Sequence, residues 1–563
     1  MLFLFIPILL LLSYIIWTLT CLLRNYRLAQ SMGGIPIVTS LVTPHTRIWG
    51  LLLRLLPSIL GDSIPRPYMA RYHSHGGHYA EKLKMHLEFG RVFVHVTPSW
   101  NEVHVADAAA CEQILARRHE FLKPITIMGS VDIFGKSLAT VEGADWQRHR
   151  KITAPPFNER NSALVWQESI RQATQMLEVW QEGSVEEGGV NSVAQDTMTL
   201  GLHVLTSAGF GQPYHFRSAK DAATNGYQLN YRDCLVSILD NLFVLFLTPS
   251  FMLNSRFAPD GLVRFRFAVS EYKRYMVEMV QLEKEKNRQG ASTLNLLSAL
   301  VKNSEDAGRV ESKVPGRGLS DDEIYGNIFM YSLAGHESTA NTIAFAIYLF
   351  VAYPQWQDWV VEEIVTVFAD LPPEEVVDYE AYYPRLLRCL AVMYETLRLF
   401  GPVLSVPKTT GFLAASFPYE GSSVTVPPHT AVHVNSGGLH QLPEYWGADA
   451  QTWRPDRWIT TSTAEKSERR SEETLKAAPQ DGSFMPWSEG PRICPGKKFA
   501  MVEFVAVVAV LLRRWRVEVV CVDGESDDDA RARVREVVES AATRITLQMR
   551  QPSRVRVRWV KRC

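Results

Sequence analysis

The sequence predicts a mainly α fold with small β-sheets, built as one large domain behind an N-terminal transmembrane helix. Apolar residues recur at three- and four-residue spacing over 160–180, 262–285, 321–353, 355–368, 385–400 and 496–514, the period of helices that bury one face. Strand-like runs are shorter and cluster at 91–96, 424–434 and 544–560. Internal repeats and a dividing linker are both missing, and the polar stretches 181–190, 302–318, 460–483 and 523–529 read as solvated loops.

The first element is the membrane segment. From Met1 to Leu23 there is no charged residue, and at about 1.5 Å per residue a helix of that length crosses roughly 30 Å of hydrocarbon. A cleaved signal peptide would need a basic start and small residues before the cut, so residues 1–23 read as an anchor. Arg24 and Arg27 follow at once, with Arg47 and Arg54 further on, which places the rest of the chain on the cytosolic side. Residues 24–60 read as a linker and membrane-proximal segment: Gly33-Gly34-Ile35-Pro36 breaks the helix, and Leu51–Leu56 reads equally as a surface-lying or a core helix. Residues 61–563 then form the globular domain.

Composition narrows the function. With 46% hydrophobic and 21% charged residues, the 563-residue chain can bury a sizeable core. Lys+Arg 59 against Asp+Glu 60 leaves a formal charge of −1, so there is no basic field to attract nucleic acid. The seven cysteines are odd in number and lack CxxC spacing, which points to a reducing compartment. Gly209-Phe210-Gly211 lacks the third glycine of a dinucleotide-binding turn, so any electrons must come from another protein.

The sharpest chemical signal is Phe484-Met485-Pro486-Trp487-Ser488-Glu489-Gly490-Pro491-Arg492-Ile493-Cys494-Pro495-Gly496, followed by an apolar helical run. A thiol at a helix start receives unpaired N–H groups and the positive end of the dipole, which suits a metal ligand. Gly490 and Gly496 let backbone approach the sulfur, Arg492 is suited to a carboxylate, and Trp487 offers a flat face to a planar macrocycle.

On these residues the chain resembles the cytochrome P450 family, the haem-thiolate monooxygenases. Trp487, Gly490, Arg492, Cys494 and Gly496 fill the family's haem-binding signature, and other segments resemble its motifs in order. The resemblance implies haem b, iron protoporphyrin, with Cys494 as thiolate ligand of the metal. It implies that Trp146 and Arg150, four apart on one helix face, reach a haem propionate. It implies a structural network of Glu395, Arg398 and Arg457 on the cysteine side. A capping box, Ser320 to Glu323, opens the helix 321–353. In that helix the resemblance implies that Ala334 and Gly335 open a groove for oxygen, and that Glu337 with Ser338 and Thr339 relays protons through water. Ser338 stands where the family more often has threonine, and its freer χ1 holds water less firmly. His336 is expected to be a packed helix residue and no metal ligand. Domain 61–563 is then the haem-binding monooxygenase domain.

The same resemblance, strongest to microsomal fungal members, implies hydroxylation or another oxidation of a lipophilic small molecule in a secondary-metabolite pathway, terpenoid or polyketide. It implies single-pass residence in the endoplasmic reticulum membrane, an NADPH-dependent flavoprotein reductase as electron donor, and cytochrome b5 as a second one. Lys497, Lys498, Arg513, Arg514, Arg516, Arg148 and Lys151 offer a basic face for such a partner. The apolar stretch Leu242–Leu247 with its Pro249 break reads as a lid dipping toward the bilayer, and the 121–135 segment (Phe121, Phe134), the helix 321–353 and 402–406 are expected to line the substrate pocket. Two other readings remain: a haem-thiolate isomerase, dehydratase or peroxygenase without external electrons, and a non-enzymatic membrane haem or lipid carrier. Neither explains an acid–alcohol step in an apolar helix.

Overall fold

A buried helix, Asp321–Ala352, is the axis on which the rest of the chain is arranged. Its start is set locally: the Ser320 hydroxyl accepts from the Glu323 amide, and the Glu323 carboxylate accepts from the Ser320 amide. Pro354, at the first turn of the next helix, ends it. The computed structural model describes residues 2–41, 43, 71–72, 76–125, 129–186, 188–217, 227–247, 260–290, 295–309, 318–369, 371, 377–462, 472–477, 479 and 481–562.

The helices that build and brace the site are α1 (Leu2–Gln30), α2 (Gly143–Thr153), α3 (Glu159–Glu186), α4 (Val193–Val204), α5 (Asp260–Arg288), α6 (Asp321–Ala352), α7 (Pro354–Val367), α8 (Leu387–Phe400), α9 (Lys497–Arg513) and α10 (Asp527–Glu539). Strands β1 (Ile37–Thr39), β2 (Val92–Val96), β3 (Asn101–Val105), β4 (Phe121–Leu122), β5 (Val406–Thr410) and β8 (Ala431–Val434) form one mixed sheet in the order β1-β2-β3-β8-β5-β4. Four two-stranded ribbons complete the β structure: β6 (Ala415–Tyr419) with β7 (Ser422–Val426), β9 (Ile459–Ser462) with β10 (Glu472–Leu475), β11 (Trp515–Val519) with β14 (Val557–Lys561), and β12 (Ala541–Thr543) with β13 (Leu547–Met549).

Several expectations change once the chain is folded. The run 424–434 is two strands, because Pro427, Pro428 and His429, at φ 56°, form a turn between them. The stretch 523–529 is not all loop: Ser526 caps α10, and Asp527, Asp528 and Asp529 fill its first turn, where the helix dipole favours negative charge. Val534, Val537 and Val538 form its buried face. Likewise α3 extends to Glu186, a helix spans Leu296–Arg309, and β9 with β10 occupies part of 460–483.

The N-terminus also differs from a linker model. α1 contains a candidate membrane span, and its apolar side chains from Ile6 to Trp17 are exposed. In its last turns and after it, Asn25 donates to the carbonyls of Thr97 and Pro98, Ala29, Met32 and Ile35 are buried, and Ile37–Thr39 pairs with β2. Residues 25–39 are therefore part of the globular domain, because their apolar and amide groups are satisfied only there. Leu51–Leu56 and Pro249 lie outside the described residues. Leu242–Leu247 ends the helix Tyr231–Leu247.

Two contacts place α6. α4 crosses it closely: a Cβ on Gly201 would stand 3.0 Å from the His336 carbonyl oxygen. α2 is locked to its start, since Arg148 donates to Glu323 at 2.6 and 2.9 Å and to the Gly318 carbonyl at 2.9 Å. His149 bridges Glu323 at 3.2 Å and Asn327 at 3.2 Å. Hydrogen bonding from Arg148 holds the Glu323 carboxyl down at about 2. A carboxyl lowered on folding adds stability above its unfolded value, which is lost as pH falls toward the folded one. Glu323→Gln is expected to melt at lower temperature than wild type at pH 7. In calorimetric scans from about pH 5 down to pH 2 the gap should narrow, since the wild type alone loses this contribution.

Candidate functional site

The segment 484–496 folds back on itself before α9. Ser488 and Gly490 adopt left-handed backbone at φ 62° and 69°, the Ser488 amide donates to the Met485 carbonyl at 3.0 Å, and the Cys494 amide donates to the Trp487 carbonyl at 3.0 Å. A Cβ on Gly490 would lie 2.9 Å from the Leu115 carbonyl oxygen, so glycine is required there on two counts. Gly496 differs, with φ −81° and only ordinary contact distance from an added Cβ to Cys494 Sγ. Its role is its amide, which donates to the sulfur.

Cys494 is exposed, yet burial is the largest cause acting on its thiol and pushes its pKa up. An accessible side chain among packed neighbours implies an open space, a hollow, beside the sulfur. The other wall is α6, where Ala334 is exposed and Gly335 and Ser338 are half-buried in a stretch otherwise buried. Phe157 connects the walls: its ring is 3.9 Å from an added Gly496 Cβ and packs edge-on against Tyr331 of α6 at 5.5 Å.

The α6 side chains divide. Ser338 donates back to the Ala334 carbonyl at 2.8 Å beside the hollow, whereas Thr339 is buried with its hydroxyl directed at the Gly335 carbonyl. Glu337 is buried and accepts from the Thr546 hydroxyl at 2.7 Å. His336 is buried against the Ser332 carbonyl, and burial lowers its pKa to about 4, so the ring is neutral. Gly335 also admits Leu205, which an added Cβ would meet at 3.3 Å. Phe121 and Phe134 are buried in the packed core, against Phe417 and Phe329.

A cluster of cations rims this space. Trp146 of α2 lies beneath two guanidiniums, Arg118 at 4.8 Å and Arg492 at 4.5 Å. Arg150 donates to the Ile493 carbonyl at 3.1 Å. Arg492 pairs with Glu142 through one nitrogen, while its Nε and Nη1 are buried without a partner. Lys123 and Lys408 complete the group. Burial and then the charge of Arg492 lower each of them to about 8. One carboxylate facing several buried cations leaves a positive excess and unused donors, a setting that suits a dianionic ligand. Iron protoporphyrin, with two propionates, fits this chemistry. Lys123 and Lys408 escaped the sequence reading; the only local signal is a lone cation within the strand Val406–Thr410.

On the cysteine side, Glu395 and Arg398 have fully buried side chains, joined by two hydrogen bonds of 2.8 and 2.9 Å. Arg457 Nε, Trp458 Nε1 and the Arg454 amide also donate to Glu395, at 2.9, 3.0 and 2.9 Å. Arg398 reaches the His440 carbonyl at 2.8 Å, and His440 Nε2 accepts from the Met485 amide at 3.0 Å. Burial and then Arg398 lower the His440 pKa to about 3, which keeps that nitrogen an acceptor. Trp487 sits in the same region, edge-on to Tyr394 and overlain by Lys497 at 5.1 Å.

Residues 68–536 match the family model described as Cytochrome P450. A cytochrome P450 monooxygenase of Arthrobotrys oligospora is 28% identical over 93% of each chain. One of Postia placenta is 32% identical over 76% of this chain and 77% of its own. The phomenoic acid biosynthesis cluster cytochrome P450 monooxygenase of Leptosphaeria maculans is 29% identical over 76% and 75%. Among solved structures, the heme domain of cytochrome P450DA superposes with TM-score 0.66 at 18% identity, over 87% of this chain and 95% of that one. The class is therefore the haem-thiolate oxidoreductases that use molecular oxygen. The chain belongs to the cytochrome P450 family and is a monooxygenase whose haem iron takes a cysteine thiolate.

The route Arg398–His440–Met485 ties the buried ion network to the segment that carries Cys494. Removing one partner of a buried network costs roughly 3–5 kcal/mol. Arg398→Ala is expected to lose that much stability in denaturant titration and to be purified largely free of haem, as read by absorbance.

Proposed function

We propose that this chain is a membrane-anchored monooxygenase that oxidises a lipophilic small molecule, a terpenoid or polyketide of secondary metabolism, with electrons from an NADPH-dependent flavoprotein reductase. The observation that carries the reading is an accessible Cys494 whose sulfur receives the Gly496 amide, on the loop where Arg492 keeps two buried nitrogens without a partner. The Leptosphaeria maculans relative, named for a biosynthetic cluster, supports the pathway class. α1, anchored over residues 1–23, and the arginines after it support single-pass residence in the endoplasmic reticulum membrane with the haem domain, up to residue 563, in the cytosol.

In this reading Cys494 binds the iron, and Trp146, Arg150 and Arg492, with Lys123 and Lys408, hold the propionates. When bound, the haem supplies oxygen activation, and the thiolate pushes electron density onto the iron. Ala334 and Gly335 contribute no bulk at the face where oxygen must fit. Ser338 holds a water beside that face, its hydroxyl able both to donate and to accept, and Glu337 moves protons to it. Thr339, buried, supports the helix turn behind Ser338. Gly496 donates its amide to the sulfur, and Trp487 backs the loop. Glu395, Arg398 and Arg457 act as a structural brace.

The reductase face is narrower than the list of basic residues implies. Arg148 is engaged with Glu323, Arg513 with the Leu371 carbonyl, and Arg516 with Asp358. Lys497 lies over Trp487 beside the cysteine loop, and Lys498, over Tyr383, stands 3.8 Å from Glu159. Lys497→Glu with Lys498→Glu is expected to slow reduction by a microsomal flavoprotein reductase and to flatten its salt dependence in stopped-flow traces. Carbon-monoxide difference spectra of the reduced protein test the core of the reading. The wild type should give the thiolate-type band, which Cys494→Ala abolishes; a band indifferent to that substitution would refute it.

A further inference from the structure

The ribbon β12–β13 ends in a turn over 544–546, where the Arg544 amide donates to the Thr546 carbonyl at 3.2 Å. Thr543, Arg544 and Ile545 are exposed, but Thr546 turns inward and is 5% exposed. Its hydroxyl accepts from Asn341 Nδ2 at 3.0 Å and donates to Glu337 Oε1 at 2.7 Å. Glu337 and Asn341 are four apart on α6 and so share one face of it, across which this turn lies. A hydroxyl has a single proton; with Asn341 filling an acceptor position, that proton is directed at Glu337.

The turn is held in place by the rest of the fold. The Leu547 amide donates to the Pro402 carbonyl at 3.0 Å, and an added Cβ on Gly76 would stand 3.3 Å from the Ala541 carbonyl oxygen. Glu337 directly precedes Ser338, the hydroxyl that borders the hollow. The Thr546 hydroxyl therefore fixes one oxygen of the carboxyl that stands beside Ser338 in the chain.

We propose that Thr546, backed by Asn341, is a positioning residue for Glu337, so that the C-terminal β-ribbon sets the readiness of the proton relay. The inference rests on the reading of Glu337 as a relay acid. No feature of 541–549 in the sequence marks it, since Thr546 is one hydroxyl among many and its partners are some two hundred residues away.

The test uses the full-length, haem-loaded chain in detergent as wild type, Thr546→Val, Thr546→Ser, Asn341→Ala and Glu337→Gln, without added substrate. Hydrogen exchange of peptides covering 541–549 reads the tether without turnover. Loss of one buried hydrogen bond is expected to raise exchange there about fivefold in Thr546→Val, with Thr546→Ser and Glu337→Gln, whose amide oxygen still accepts from Thr546, like wild type. NADPH and a microsomal flavoprotein reductase then supply electrons, and the fraction recovered as hydrogen peroxide is measured in H₂O and in D₂O. Thr546→Val and Asn341→Ala should both shift that fraction and its isotope effect, and Thr546→Ser should restore them. If Glu337→Gln shifts the fraction while Thr546→Val and Asn341→Ala do not, the positioning role is overturned and the relay stands. If Glu337→Gln changes nothing, the relay reading itself fails. Unchanged exchange in Thr546→Val also overturns the tether.

Discussion

The carboxylate of Glu395 is the interaction on which the rest of the architecture depends. It is fully buried, where an ion is expensive to keep, and it accepts from two arginines, one indole and one backbone amide. Those donors come from α8 and from the 454–458 segment, which no other charge pair joins so deeply among the described residues. Arg398 extends the grip to the carbonyls of His440, Ala450 and Thr452. His440 in turn receives the Met485 amide and passes the constraint to the loop that presents Cys494. A reactive sulfur is thus kept accessible by a rigid ion cluster whose members never meet the ligand.

The hollow is shaped by opposite means on its two walls. On the cysteine wall, backbone geometry does it: left-handed Ser488 and Gly490 turn the chain, and the Gly496 amide faces the sulfur. On the α6 wall, the absence of side-chain bulk does it, since Ala334 and Gly335 leave room that a larger pair would occupy. The rim is electrostatically unfavourable by itself. Lys123 and Lys408 are lowered to about 8 by burial and by Arg492, an arrangement a bound dicarboxylate relieves. Such local conflict between stability and charge placement is expected where a fold is prepared for a ligand.

Much of this was legible before folding, because it depends on spacing along the chain. The capping box at Ser320, the amphipathic periods of the long helices and the Cys494 segment each lie within a dozen or so residues. The Glu395–Arg398 pair is also local, three residues apart on one helix. Other features were not legible because their meaning is set by distant partners. Arg148 looks like surface charge until Glu323 is found beside it, and residues 25–39 look like a tether until β1 pairs with β2. Asp527–Asp529 reads as a solvated run until Val534, Val537 and Val538 reveal the buried face behind it. Ser338 and Thr339 are both hydroxyls, yet a helix turns 100° per residue, and one borders the hollow while the other is buried.

By itself the sequence determined the chemistry on offer: a thiol before a helix, an acid–alcohol step in an apolar helix, and a charge-free stretch long enough to cross a bilayer. These are short-range properties, carried by residue type and by helical period. Tertiary structure alone decided which cations surround the cysteine, which hydroxyl borders the hollow, and that Thr546 holds Glu337. Burial and hydrogen-bond pairing between residues hundreds of positions apart arise only when the chain closes on itself, and no local pattern encodes them.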